Sequence, residues 1–218
     1  MSLFNKLFAP AKPKGMIGYL GLSDWWLESL SDDERAKLQE RFTPFGLSAQ
    51  LTNGTIIETN ETAAGLLISL AGYCRLPDEW TTEKRILMKA EELAIGSGNV
   101  LDLHFVHSAG VQSAYKCRDK ISDALQDAII ACERQVDLAP RAANAFKRKY
   151  RNAPLPSHKG FEQLAIIREK QQDFVEAMRL SKLAQKQGWS GSWGRRISRL
   201  QKRLDKLNQK SKSDRGGN

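Results

Sequence analysis

His104 and His107 come closest to a chemical motif in this 218-residue chain. They stand three residues apart on a predicted helix, close enough in angle to share a metal ion, with Asp102 beside them. No further His or Cys has ligand spacing and His158 falls in a separate loop, so packing or capping is the expected role of both histidines. The stretch "GWSGS" at 188–192 reads G-x-S-G rather than the G-x-S-x-G elbow, and it follows a predicted helix instead of a strand. Cys74, Cys117 and Cys132 have no CxxC spacing, and a thiol acts as a nucleophile only beside a base that lowers its pKa. "GSGN" at 96–99 lacks the Lys-Ser/Thr of a phosphate loop and reads as a helix cap. The carboxylates of Asp32, Asp33 and Glu34, and of Glu91 and Glu92, suit helix ends and solvent faces better than acid/base pairing. No catalytic residue, metal ligand or cofactor follows from these patterns, and the chain reads as a non-enzyme.

The elements that carry these residues are almost all helical. Residues 1–15 join a short apolar group to a Pro/Lys segment and read as a flexible arm. Residues 16–60 read as an N-terminal helical cap. Ser23 marks one helix start there, and Ser31 with Glu34 forms a capping box at another. Within that region, 43–60 has the turn pair Asn53-Gly54 among β-branched residues, which predicts a small hairpin or an irregular loop. Apolar spacings of three and four then predict helices at 61–76, 82–96, 99–117, 122–138, 142–150, 160–171, 174–187 and 193–209, with Pro140 as a stop. The fold class expected is all-α, as stacked helical hairpins.

Composition narrows the class further. A hydrophobic content of 41% and a charged content of 27% are ordinary for a folded globular chain. No stretch approaches the roughly 20 apolar residues of a membrane span, no secretory signal core is present, and an odd, scattered cysteine set argues against a disulfide framework. A cytoplasmic protein is therefore expected. The net charge of +9 is concentrated at the ends: residues 188–218 hold nine Lys/Arg against two Asp/Glu, while 16–187 is close to neutral.

A two-helix unit that cannot bury its own apolar stripe must recur. Phe161, Leu164 and Ala165, then Phe174, Ala177 and Ala184 joined through Asp173-Phe174, resemble a tetratricopeptide repeat at 161–188. Leu67, Leu70 and Ala71 with Trp80, Leu87 and Ala90 fit the same frame, with Glu83 where alanine is usual. Leu101 and Phe105, followed by Leu125, Ala128, Cys132 and Pro140, supply a copy between them, and His104 falls on a core position of that frame. Ala90 to Gln135 spans 45 residues and Gln135 to Ala184 spans 49, so a period of about 34 residues requires insertions. Gln135 replaces a small residue, and Arg168, Ser181 and Trp189 stand where two aromatics and a proline are commoner. A generic α-solenoid or irregular helical bundle is the other reading of residues 61–190.

The resemblance implies a scaffold or adaptor that binds a peptide or protein segment in the groove lined by the first helix of each pair. Ile68, Arg75, Asp102, Val106, Glu162, Ile166 and Glu169 would face that groove. Their mixed charge does not reproduce the basic, Asn-containing carboxylate clamp of some family members. The final element, 191–218, is read as a basic helix with a disordered tail. Trp193, Ile197, Leu200, Leu204 and Leu207 form one apolar seam, while Arg195, Arg196, Arg199, Lys202, Arg203 and Lys206 occupy its other faces. That helix is expected to cap the stack, with a coiled-coil dimer contact or phosphate contacts to nucleic acid or an anionic surface as alternatives. Trp25 and Trp26 point different ways on their helix, so one packs inward and the other is available to a partner.

Overall fold

The structure, a computed structural model, describes residues 12–43 and 50–215, with side chains through 209. Most of the expected arm, residues 44–49 of the expected hairpin or loop, and 216–218 lie outside the described residues. The fold is all-α: about 70% helical, with ten helices and one two-stranded sheet among the described residues. None of these helices is long and apolar enough to cross a membrane. The chain divides into two compact units at Ser97/Gly98, inside the segment 61–190 expected to form one repeat body.

The first unit contains α1 (Gly15–Tyr19), α2 (Ser23–Ser29), α3 (Asp32–Arg41), α4 (Ala63–Ala71) and α5 (Trp80–Gly96). The expected capping box is present: Ser31 Oγ accepts from the Glu34 amide at 3.3 Å, and Glu34 Oε2 accepts from the Ser31 amide at 2.8 Å. The other expected start also holds, α2 beginning at Ser23. Glu34 also accepts from Thr82 Oγ1 and pairs with Arg85, tying α3 to α5. Burial pushes its pKa upward, but these bonds and the guanidinium charge outweigh that and leave it below its ordinary value. Trp26 is buried and Trp25 is only partly covered.

The described part of the Asn53-Gly54 segment is irregular, with no strand. Its role is to satisfy the start of α1, whose first amides lack intrahelical acceptors. The amides of Lys14, Gly15, Met16 and Ile17 donate to the carbonyls of Thr52, Gly54, Gln50 and Leu51. Such close approach demands glycine at 15, where φ is +56° and an added Cβ would sit 2.8 Å from the Asn53 oxygen and closer still to that of Gln50.

The second unit contains α6 (Val100–Cys117), α7 (Ala124–Lys149), β1 (Leu155–Ser157), α8 (Lys159–Lys170), α9 (Phe174–Gln187), β2 (Trp189–Ser190) and α10 (Trp193–Arg215). Each helix packs on the next along the chain, and α6 also touches α8. The "GSGN" stretch caps as expected: Gly98 has φ +66° and Asn99 accepts from the amides of Leu101 and Asp102. Asp173 does the same for α9 by accepting from the Glu176 amide at 3.0 Å.

In three places helix limits depart from expectation by more than two residues; the first is the predicted 61–76, which ends at Ala71. The predicted helices 122–138 and 142–150 are one helix, α7, that runs straight through Pro140. Leu138, Ala139, Ala142, Ala143 and Phe146 form an unbroken buried stripe across the proline, and that packing outweighs its local cost. Pro140 itself faces solvent. Pro140→Ala restores the amide that would donate to the Val136 carbonyl, so urea unfolding should show a gain of about 1–3 kcal/mol. The last helix extends beyond the expected 209 to Arg215, since no helix-breaking residue intervenes before Gly216.

Candidate functional site

The seam of α10 finds its cover within its own unit. Trp193 and Leu200 are buried, and Leu200 joins Phe174, Ala177 and Met178 of α9, with Leu204 packed at the margin. Cover ends there: residues 205–209 are exposed on every side, Leu207 at 50%. The helix therefore caps the unit with its first three turns and presents its later turns to solvent.

Capping fixes which charges of α10 face α8. Glu169 is the pivot, with a side chain only 14% exposed. Its Oε1 accepts from Arg196 Nη1 at 3.2 Å and Arg199 Nη2 at 2.9 Å, and its Oε2 accepts from the same Arg199 nitrogen at 2.7 Å. Beside this cluster lies an open cleft of about 430 Å³ lined by Ile166, Glu169, Lys170, Arg196, Arg199 and Arg203. Four cations surround one carboxylate, leaving a local charge of +3. Arg199 remains 54% exposed, the Arg203 guanidinium lies 5.4 Å from the centre of the Phe174 ring, and Lys170 Nζ donates to Tyr115 Oη at 3.0 Å. Packing against an aromatic face holds a guanidinium in place without consuming its donors.

The structure thus joins residues from two separate expectations. Ile166 and Glu169, expected at the groove, and Arg196, Arg199 and Arg203, expected at phosphates, line one surface. The remaining residues fall elsewhere. Ile68, half-buried, and Arg75, exposed, belong to the first unit. Asp102 sits in the first turn of α6, and Glu162 pairs with Lys159 at 3.6 Å in the first turn of α8. Val106 is 3% exposed, which corrects its assignment to an open groove: it belongs to the buried side of α6. Arg195 donates to Ser192 Oγ, while Lys202 and Lys206 are exposed on the outer side of α10. Lys170 and Tyr115 went unnoticed in the sequence, although Lys170 follows Ile166 by one helical turn and so must share its side of α8.

The histidines occupy a second cluster, in the core. His158, expected in a loop apart from the others, has its ring 5.1 Å from that of His104. Parallel pairing of β1 with β2, Leu155 opposite Trp189, draws it there. Its Nδ1 accepts from the Phe161 amide at 3.2 Å and caps α8, while the Trp189 ring stacks on His104 with centres 5.5 Å apart. Burial lowers the pKa of His158 to about 3 and of His104 to about 4, the first helped by His104 and the second by His107. Gln135 locks this region: fully buried, it donates to the His104 carbonyl at 3.1 Å and accepts from the Gly160 amide at 2.5 Å. Among the described residues, no three or more His, Cys, Asp or Glu side chains gather closely enough to hold a metal ion.

The cysteines are free thiols, with Cys117 and Cys132 buried. Burial first, then nearby carboxylates, pushes Cys74 and Cys132 up to about 12, so both are thiols rather than thiolates at neutral pH. Trp189 and Trp193 are buried core residues. Compared with known protein families, curated proteins and solved structures, the chain gives no match.

Proposed function

We propose that this protein is a non-catalytic binding scaffold that takes a peptide or protein segment along the surface where α8 meets α10. The tetratricopeptide-like spacing of 161–188 motivates the reading, and one observation carries it: the open cleft in which Ile166 supplies an apolar wall beside four cations held by Glu169, Tyr115 and Phe174. An apolar contact ringed by fixed charges suits recognition of a side chain and its flanking backbone. Free, protonated cysteines are compatible with residence in a reducing cytoplasm.

The test is selection of peptides from a random displayed library on the immobilised full-length protein, followed by anisotropy titration of the winners. Ile166→Asp places a charge on the apolar wall and should weaken the selected peptides at least tenfold, about 1.4 kcal/mol. Undiminished binding by that variant, with its helical circular dichroism intact, rejects the groove.

A second reading rests on the outer side of α10, where Arg195, Lys202 and Lys206 are exposed on the helix that leaves the body. It assigns that side to nucleic-acid phosphates, with affinity falling steeply in salt. Truncation after Gly188 is unsuitable as a test, because it would strip Trp193 and Leu200 from the core. Replacing Arg195, Lys202 and Lys206 together by alanine leaves the core intact. Oligonucleotide binding unchanged in that triple variant removes this reading.

A further inference from the structure

The geometry points to a phosphorylated side chain of a protein segment as the group that occupies the α8–α10 cleft. This rests on the groove reading above and adds the chemistry of its occupant. Arg199 uses one nitrogen for both oxygens of Glu169, which leaves its other donors open. Lys170 has two further ammonium hydrogens beyond the one given to Tyr115, and the contact of Arg203 with Phe174 engages the face of its guanidinium, not its donors. Three exposed cations therefore converge on one concavity. A tetrahedral phosphate carrying about −1.5 to −2 charge can accept from several such donors at once.

The local carboxylate decides between candidate anions. Glu169 already takes the most buried arginine donors, so a second carboxylate would find only the outer ones; a dianion gains more from the net +3 surroundings. Glu169 also orients Arg196 and Arg199 before any ligand arrives, which reduces the ordering cost of binding. Shape argues against a polynucleotide here. Its phosphates need cations spaced along a track, as on the outer side of α10, whereas these gather around one cleft of about 430 Å³.

The experiment uses the full-length protein and a fluorescein-labelled peptide library centred on phosphoserine with degenerate flanks, compared with the same library carrying serine and with oligothymidine. The phosphorylated library should bind at least about tenfold more tightly than the serine library, one charge-assisted contact or more. Lys170→Ala/Arg203→Ala should erase that preference while the thermal melt is unchanged, because both residues are exposed and neither holds Glu169. Equal affinity for the two libraries overturns the phosphate assignment, as does oligothymidine binding more tightly than the phosphorylated library through the same two residues. The two readings fail separately: equal binding of both libraries that is lost in Ile166→Asp keeps the groove and removes only the phosphate, whereas binding that survives Ile166→Asp rejects the groove.

Discussion

Gln135→Ala is expected to destabilise the second unit by about 3–5 kcal/mol, the largest effect of any single substitution considered, read as a lowered urea midpoint at unchanged m-value. Two losses combine. Truncation opens a cavity at a fully buried position, and it strands the Gly160 amide, which lies in the first turn of α8 and so has no acceptor within its own helix. The His104 carbonyl loses a donor as well, though it lies inside α6. Gln135→Leu separates the two contributions. It restores volume but leaves the amide unmet, so it should still cost about 2–3 kcal/mol. A change under about 1 kcal/mol in both variants would mean that the amide finds another partner. Gly160 has little freedom to move: a Cβ there would sit 2.9 Å from both the Cys132 oxygen and Gln135 Oε1.

Acid is the second large perturbation. His104 and His158 are neutral in the folded protein, with pKa values lowered to about 4 and about 3, while an unfolded histidine titrates near 6.5. Below pH 6.5 the unfolded chain therefore binds protons that the folded chain refuses. Stability from this pair is complete above about pH 6.5, declines as the pH falls, and levels off only below the folded values. Between pH 7 and pH 5 the loss should be on the order of 4 kcal/mol, with a slope approaching two protons. Ordinary carboxylates titrate mostly below that window, so urea titrations at a series of pH values isolate the histidines. A flat profile between pH 7 and pH 5 would show that both rings take up protons in the folded protein as readily as in the unfolded chain. His158→Phe should halve the slope.

The helical plan was legible because apolar spacing of three and four reports a buried stripe irrespective of neighbours, and because caps are local chemistry. Ser31 and Asn99 bond amides two or three residues away, so sequence proximity sufficed. Pro140 misled for the opposite reason: its helix-breaking tendency is local, whereas the stripe from Leu138 to Phe146 that overrides it belongs to tertiary packing. The histidine cluster was illegible. His104 and His158 are 54 residues apart in the chain, and the packing of α6 on α8 together with the pairing of two very short strands brings them together. Gln135 looked like a defect in a small-residue frame and is instead the hydrogen-bonding link between α6 and α8. In the cleft, charge identified the arginines, but their sharing of Glu169 depends on how α10 lies on its neighbours, which periodicity does not encode.

The parallel pairing of Leu155 with Trp189 has an architectural corollary. The chain departs from the α8–α9 hairpin beside the point where it arrived, so the hairpin is bounded by a seam of its own, reinforced by Ser190 Oγ donating to the Leu155 oxygen. Duplicating the stretch between those strands would introduce another helical pair without stretching any connection to α7 or α10, a route by which such a chain can lengthen one module at a time.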